Sequence, residues 1–408
     1  MAPEAVADGR VPMWLDCDPG HDDAIAIILA GHSPNVELLG ISTVAGNQTV
    51  TKCTRNALDV LSAASLTGIS VVEGQAKPLM RSSAILCPEI HGVSGLDSPD
   101  HLPLLPSSNT KPLPGKAPVI MFEAIHAAWQ RMGGGLGRVR LVCTGSLSNA
   151  ALLLLLYPEV VDYVEMVVMG GCLGIGNTHP VAEFNIQTDP EAAKIVFESG
   201  APLTMVGLEV THLVLATPGV ICAVATGAEA AERAVVAGDA ALYPDDSAPT
   251  ATTRGAGVHA AVAARTAAED AAAAAYPASA FRAFVARLLV FFAETYRRVF
   301  EFQHPPVHDP LTVAYVMHPE LFRTMLMRVD VETTSTLCAG QTVCDRWGQS
   351  PLPPNCNVAL SVDVPAFWGL VLDAVRRADA VSPLNATPPA KAPRALPAAA
   401  ADCPPNEH

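Results

Sequence analysis

The chain has 408 residues, half of them hydrophobic, which is enough to bury a large core. Forty acidic residues against 25 basic ones give a formal net charge of -15. This charge disfavours binding to nucleic acid or to anionic membrane surfaces, and it suits small neutral or cationic ligands, including metal ions. The ten cysteines include no CxxC pair or His/Cys cluster, which favours a reducing compartment over a disulfide framework or a zinc site.

Residues 1–10 contain Glu4 and Asp8 and lack the apolar core of a signal peptide. No stretch reaches the roughly 18 apolar residues that a membrane span requires. We therefore expect an N-terminal extension at 1–10 and a cytoplasmic protein without a membrane partner.

The first half of the chain alternates short apolar runs with segments of helical periodicity. The predicted strands are 13–17, 38–44, 70–72, 140–143, 165–168 and 203–206. The predicted helices are 22–31, 50–64, 122–132, 148–156 and 190–198. This alternation predicts a single α/β domain with a mainly parallel, Rossmann-like central sheet flanked by helices, and an active site at the C-terminal ends of the strands.

The second half predicts a helix at 283–298, strands at 327–331, 341–344 and 358–362, and a closing helix at 365–377. Three segments differ in composition. Residues 80–116, rich in Pro and Ser, predict a long surface loop. Residues 221–280 are rich in alanine and predict a flexible insertion, and residues 380–408 predict a disordered Pro/Ala-rich tail. We expect the domain to span 11–378 and none of these segments to carry the chemistry.

Four carboxylates, those of Asp16, Asp18, Asp22 and Asp23, fall within eight positions where the first strand meets the first helix. Helix capping or a solvated strand end explains any one of them. Four like charges this close are costly unless a positive charge lies among them. An oxygen-rich acidic site favours calcium or magnesium over zinc, and flexible coordination by several carboxylates favours calcium.

Several motifs follow one another along the chain. They are DCDPGHDDA at 16–24, TVAGN at 43–47, HGVSG at 91–95, TGSLSN at 144–149, MGG at 169–171, AEFN at 182–185 and VHDP at 307–310. Taken alone, Gly46-Asn47 is typical of a turn, Ser94-Gly95 of a loop and Gly170-Gly171 of a strand exit. In this order, over about 11–220 and 281–378, they resemble the inosine-uridine preferring nucleoside hydrolases.

The resemblance implies hydrolysis of the N-glycosidic bond of ribonucleosides to ribose and free base, for purine and pyrimidine salvage, by a homodimer or homotetramer. It implies that calcium is bound by Asp18, by both carboxylate oxygens of Asp23, by the main-chain carbonyl of Thr144 and by Asp309. It also implies that Asp18 is the general base that takes a proton from water.

The resemblance also assigns residues to the substrate. Asp22 and Asn47 match residues on the 2'-hydroxyl side of ribose, and Met169 matches a residue under the sugar. The residues matching the group that binds the 5'- and 3'-hydroxyls are Asn177, Glu183 and Asn185. Because the transition state resembles an oxocarbenium ion, carboxylates around the sugar would stabilise its positive charge.

Three further residues are implied near the nucleobase. His308 matches the general acid that protonates the departing base, a role that suits histidine near neutral pH. His91 matches a second histidine near the base, and Tyr296 matches a tyrosine that closes over it. Without the resemblance, His308 would be one of twelve histidines, most of them expected at the surface. The pairing of His308 with Asp309 favours broad hydrolysis of inosine and uridine.

Two alternatives remain open at this point. A phosphatase of the haloacid-dehalogenase type also begins with Asp-x-Asp after an apolar strand, but Pro19 and Gly20 follow here and no later lysine is well placed. A protein that binds nucleosides without hydrolysing them is the other. The presence of every implied metal ligand and of His308 argues against it.

Overall fold

The computed structural model describes residues 9–100, 103–238 and 277–386. Nine strands in these residues form one sheet with the order β3-β2-β1-β4-β5-β6-β9-β7-β8. The strands are β1 (Val11–Cys17), β2 (Val36–Thr43), β3 (Val71–Glu73), β4 (Val139–Cys143), β5 (Val164–Met169), β6 (Leu203–Val206), β7 (Phe322–Val331), β8 (Thr342–Asp345) and β9 (Cys356–Val362).

The sheet is parallel from β3 across to β9, and β7 runs antiparallel to both of its neighbours, β9 and the edge strand β8. Every residue of β1 is buried, as expected for a central strand covered by helices on both faces. The prediction of a mainly parallel α/β sheet is therefore confirmed.

Helices cover both faces of the sheet. They are α1 (His21–His32), α2 (Val50–Ala63), α3 (Pro88–His91), α4 (Ala117–Arg131), α5 (Ser148–Leu156), α6 (Phe184–Thr188), α7 (Pro190–Phe197), α8 (Leu208–Thr211), α9 (Pro218–Thr226), α10 (Glu229–Val236), α11 (Ala280–Phe300), α12 (Pro310–Met317) and α13 (Val364–Val381). One core packs α1, α9, α11 and α13 against the sheet, and a second core packs α4, α5 and α7 on the other face. None of the described helices is both long and apolar enough to cross a membrane.

Two boundaries depart from the predictions for physical reasons. Helix α4 begins at Ala117, five residues before the predicted start, because Pro118 suits the first turn of a helix. The insertion predicted at 221–280 does not begin at 221, because α9 and α10 continue the packed domain. Ile221 and Val235 are fully buried, and small alanines allow these helices to pack closely.

The other compositional predictions fall partly outside the described residues. Residues 239–276 of the predicted insertion, 387–408 of the predicted tail and 1–8 of the predicted extension lie there. Residues 380–386 of the predicted tail are ordered, because α13 continues to Val381 and a short 3₁₀ turn, Pro383–Ala386, follows.

Two aromatic side chains are expected to contribute very differently to the stability of the fold. Phe367 on α13 is fully buried in the larger core, whereas Trp347 is 87% exposed. We expect Phe367→Ala to lower the free energy of unfolding by about 3–5 kcal/mol, because it leaves a cavity, and Trp347→Ala to change it by less than about 0.5 kcal/mol. Denaturant unfolding of both variants measures this, and equal effects would contradict the packing described.

Candidate active site

The site lies where the carboxyl ends of the central strands meet. Asp18 follows β1, Asn47 follows β2 and Thr144 follows β4, and β1 pairs with both β2 and β4. From β1, the chain continues through β2 and β3 on one side of the sheet and through β4, β5 and β6 on the other. In parallel sheets, a crevice for ligands opens at the strand ends where the order reverses in this way.

Three carboxylates form a compact buried group. Asp22 and Asp23 lie in the first turn of α1, and Asp309 precedes the first residue of α12. One oxygen from each lies within 4.8 Å of the others, a spacing that allows them to share one metal ion. The structure thus joins two residues predicted as metal ligands, Asp23 and Asp309, with Asp22, which was predicted to bind ribose.

Asp18 lies beside this group, fully buried. Its Oδ2 accepts a hydrogen bond from the main-chain N–H of Asn47 at 2.7 Å, but its Oδ1 has no hydrogen-bond partner among the described residues. Burial, followed by the charges of Asp23 and Asp22, raises the pKa of Asp18 well above its usual value. A buried carboxylate oxygen without a donor is costly, and a cation would satisfy it.

The other carboxylates are in a similar environment. Burial, with the charge of Asp23, raises the pKa of Asp22 to about 7. Burial and the charges of Asp22, Asp23 and Asp18 raise the pKa of Asp309 well above its usual value. The strongest charges acting on these groups are those of other carboxylates, so the acidic cluster fits a divalent cation that prefers oxygen ligands.

Thr144 and two asparagines hold the cluster in place. The Thr144 hydroxyl donates to Oδ1 of Asp23 at 2.8 Å, and the Thr144 carbonyl accepts from Nδ2 of Asn185 at 2.8 Å. Nδ2 of Asn47 donates to the main-chain oxygen of Asp18 and to Oδ2 of Asp23, both at 3.1 Å. These bonds tie the ends of β1, β2 and β4 together at the carboxylates.

A cleft opens over the acidic cluster. All the residues predicted for the site line it except Asp18 and Asp23. The lining residues that the sequence did not identify are Cys87, Ile90, Thr178, Phe184, Phe292 and Phe300. Most of these are apolar, and no sequence motif distinguishes them from ordinary core residues.

One end of the cleft is polar. Glu183 caps α6: its Oε1 accepts from the N–H of Asn185 at 2.9 Å, and its Oε2 accepts from the N–H of Gly171 at 3.0 Å. Burial raises the pKa of Glu183 to about 7. Asn177 accepts from the N–H of Phe184 at 2.9 Å, and Nδ2 of Asn185 donates to the carbonyl of Met169 at 3.1 Å. The predicted ribose-binding groups are therefore held by the backbone around them.

The other end contains a chain of three side chains. The Tyr296 hydroxyl lies 2.7 Å from Nε2 of His308, and Nδ1 of His308 lies 2.8 Å from the Thr211 hydroxyl. Burial lowers the pKa of His308 well below its usual value, so the ring is neutral near pH 7. Thr211, at the end of α8, was not identified from the sequence, since a single threonine carries no signal. Phe292 and Phe300 pack on Tyr296, with ring centroids 4.6 and 5.0 Å away.

Residues 80–116 were predicted to form a surface loop without a chemical role, apart from His91, and the structure places part of this segment at the cleft. Helix α3 lies over the site and buries Ile90 and His91 there, because its apolar residues pack against α11. His91 contacts His21, which the sequence also left without a role. Burial lowers the pKa of His21 to about 4 and that of His91 well below its usual value.

Comparison with known proteins identifies the family to which a chain with this site belongs. The family model described as inosine-uridine preferring nucleoside hydrolase matches residues 13–369. The chain belongs to this family. The resemblance drawn from the motifs is confirmed, and the phosphatase alternative is excluded.

Curated relatives of this nucleoside hydrolase cover nearly the whole chain. It is 38% identical to a probable ribonucleoside hydrolase of Dictyostelium discoideum, over 90% of this chain and 94% of the relative. It is 35% identical to a pyrimidine-specific ribonucleoside hydrolase of Salmonella paratyphi C, over 90% of this chain and 98% of the relative. The protein is therefore an enzyme of the ribonucleoside hydrolase class.

Solved structures agree with the fold of this nucleoside hydrolase. A purine-preferring ribonucleoside hydrolase from Gardnerella vaginalis matches with a TM-score of 0.69 and 26% identity, over 90% of this chain and 99% of that one. An inosine-guanosine nucleoside hydrolase matches with a TM-score of 0.68 and 23% identity, over 90% and 99%, which supports the fold alone.

Close packing around Asp18 generates a steric prediction. A Cβ atom at Gly46 would clash with Oδ2 of Asp18, whereas one at Gly174, in a nearby loop, would have nothing within 4 Å. Neither glycine has a positive φ, so backbone strain does not separate them. We expect Gly46→Ala to lower kcat/KM at least about 100-fold by displacing Asp18, and Gly174→Ala to leave it within about twofold. Steady-state assays of ribose release measure this, and an active Gly46→Ala enzyme would contradict it.

Proposed function

We propose that this protein is a calcium-dependent hydrolase that cleaves the N-glycosidic bond of ribonucleosides such as inosine and uridine to ribose and free base. The observation that carries the proposal is a buried group of carboxylates at a cleft that is lined both by polar side chains and by a cluster of aromatic ones. This cleft matches the two halves of a nucleoside, a polyhydroxylated sugar and a flat base.

The donor set supports calcium as the metal. Oδ1 of Asp18, the carboxylates of Asp23 and Asp309 and the Thr144 carbonyl would hold it, and all are hard oxygen ligands. A bound calcium ion supplies Lewis acidity that makes a nearby water easier to deprotonate. Asp18 would also serve as the base: the Asn47 N–H fixes its Oδ2, and its Oδ1 accepts no hydrogen bond among the described residues, so the carboxylate keeps lone pairs for both the cation and the proton of the water.

The polar end of the cleft suits the sugar. Asp22 and Asn47 would bind the 2'-hydroxyl side, and Met169 would lie under the ring. Asn177, Glu183 and Asn185 would bind the 5'- and 3'-hydroxyls. Nearby carboxylates would stabilise positive charge on the sugar as the bond to the base breaks. Because a site built around a hydroxyl rejects analogues that lack it, 2'-deoxynucleosides would be poor substrates.

The aromatic end suits the departing base. Tyr296 and neutral His308 hold one proton between the phenol oxygen and Nε2, and Thr211 fixes the other ring nitrogen. With the ring proton on Nε2, His308 donates to the phenol oxygen, and Tyr296 would give its own hydroxyl proton to the departing base and become a phenolate that His308 stabilises. Asp18 would take the proton lost by water, and return of that proton to Tyr296 through solvent would complete the cycle. We thus refine the role of His308 from a lone acid to one partner of a proton-donating pair.

Base preference, assembly and location complete the proposal. The relatives named above include one described as pyrimidine-specific and one described as purine-preferring. Phe184, Phe292 and Phe300 offer apolar surface that suits either kind of base, so we propose broad hydrolysis of purine and pyrimidine ribosides for salvage. We also propose a cytoplasmic homodimer or homotetramer, and the nine described cysteines, all free thiols, suit a reducing compartment.

The role of the acidic cluster is tested by metal binding and turnover together. We expect Asp18→Asn and Asp309→Asn to weaken calcium binding at least about tenfold and to lower kcat at least about 1,000-fold, because each removes a charged ligand and Asp18 is also the base. Asp345→Asn is the control, because Asp345, at the end of β8, is not among the residues that line the cleft. Calorimetry with calcium and release of reducing ribose, before and after chelation, are the measurements. Nucleoside binding without ribose release by the wild type would favour a binding protein instead.

The leaving-group pair is tested by changing the leaving group. We expect Tyr296→Phe to lower kcat for inosine about 100-fold, because a general acid contributes roughly 10²–10⁴. With p-nitrophenyl β-D-ribofuranoside, whose leaving group needs no protonation, kcat should change less than about threefold. Parallel kinetics with both substrates measure the contrast. An equal loss with both would assign Tyr296 to substrate positioning alone.

A further inference from the structure

Thr342 is the buried first residue of the edge strand β8, and its side chain contacts a turn 170 residues earlier in the chain. The Thr342 hydroxyl donates to the main-chain carbonyl of Cys172 at 2.6 Å and accepts from the main-chain N–H of Cys172 at 2.9 Å. A hydroxyl has one proton to donate and lone pairs that accept, so both bonds form at once. One side chain therefore binds both polar groups of the Cys172 backbone.

The turn that Thr342 binds also holds a polar side chain of the cleft. Gly171, the residue before Cys172, donates its N–H to Oε2 of Glu183 at 3.0 Å. The φ of Gly171 is +78°, and a Cβ there would lie 2.9 Å from Cγ2 of Thr342, so glycine permits both the turn and the close approach of Thr342. Thr342 is thus linked to the Glu183 carboxylate through two consecutive residues of the main chain.

Two further contacts hold the same turn. The N–H of Leu173 donates to Oε1 of Glu209 at 2.7 Å, and the carbonyl of Gly171 accepts from the N–H of Leu208 at 3.0 Å. Both partners belong to α8. Because these bonds do not involve the Thr342 hydroxyl, we expect its removal to shift the turn rather than to unfold it.

We propose that Thr342 is a positioning residue for ribose: it fixes the Cys172 backbone, so that the neighbouring Gly171 N–H holds the Glu183 carboxylate in the orientation that binds a sugar hydroxyl. The inference rests on the proposed function, because the ligand is the ribose of a ribonucleoside. No residue of β8 lines the cleft, so the edge strand takes part in substrate binding only through this turn. Thr342 should therefore affect the sugar and not the leaving group.

Three substitutions separate the hydroxyl of Thr342 from its packing. Thr342→Val has nearly the same shape but leaves the N–H and carbonyl of Cys172 without the hydroxyl. Thr342→Ala also loses the hydroxyl but places no methyl group against the carbonyl, so it serves if valine cannot be accommodated. Thr342→Ser keeps the hydroxyl. Thr54→Val is the matched control, because the buried Thr54 hydroxyl also donates to a main-chain carbonyl, that of Val50, and Thr54 does not line the cleft.

Kinetics with two substrates, together with inhibition by D-ribose, provide the test. We expect Thr342→Val and Thr342→Ala to lower kcat/KM for uridine about tenfold, as for one lost hydrogen bond, and to raise the inhibition constant of D-ribose by a similar factor. The loss with p-nitrophenyl β-D-ribofuranoside should equal that with uridine, because both substrates contain the same sugar. Thr342→Ser should stay within about threefold of the wild type, and Thr54→Val within about twofold. In a Glu183→Ala background, Thr342→Val should lower kcat/KM less than about twofold further, since both residues act through one carboxylate.

Other results overturn the inference. A loss with uridine but not with p-nitrophenyl β-D-ribofuranoside would mean that the turn acts through α8 on the proton-donating pair. Losses that multiply in the Glu183→Ala background, or a Thr342→Ser enzyme as impaired as Thr342→Val, would assign Thr342 to packing. Failure of both Thr342→Val and Thr342→Ala to fold, seen by thermal melting, would assign it to the core alone. If the wild type hydrolyses no ribonucleoside, the proposed function itself is wrong, whereas an active wild type beside unaffected Thr342 variants would overturn the positioning role only.

Discussion

The structure depends on carboxylates that are buried together. Two unit charges about 4 Å apart repel by roughly 4 kcal/mol at the effective dielectric of a protein site. The N-terminus of α1 and hydrogen bonds from Gly20, Asn47 and Thr144 offset part of this, but a helix terminus contributes only about 0.3–1 kcal/mol. The remaining repulsion is what a divalent cation neutralises. The adjacent glycine Gly46 leaves room for Asp18 so that this arrangement can form.

Much of this could be predicted from the sequence. Parallel strands buried on both faces appear in the sequence as short apolar runs, and β6 was predicted with its observed bounds from such a run. Helix α5 was also predicted with its observed bounds, although it is an almost continuous apolar run between Ser148 and Leu156. Asp18 and Asp23 could be recognised as part of a candidate metal site, because four acidic residues so close together at a strand end repel one another unless a cation lies among them. Recognising the more distant half of the site, including Asp309, required the order of the motifs, because no local pattern joins residues so far apart.

The rest could not be predicted because it arises from tertiary contacts. Thr211 matters only because α8 brings its hydroxyl to His308, and Phe292 matters only because α11 passes over the cleft. The Pro- and Ser-rich composition before α4 correctly indicated a loop but could not show that α3 buries His91 within it. Alanine-rich α9 and α10 appeared unable to form a core, yet small side chains pack well where neighbouring helices supply the bulk.

The acidic group joins α1, near the start of the chain, to Asp309, nearly three hundred residues later. Contacts between such distant segments form late in folding, because the entropy cost of closing a long loop must be met before these contacts contribute any stabilising free energy. During synthesis the early aspartates therefore emerge well before their partner. A nascent or truncated chain that ends before Asp309 has an incomplete acidic group, which is assembled only when the later part of the chain has folded onto the sheet.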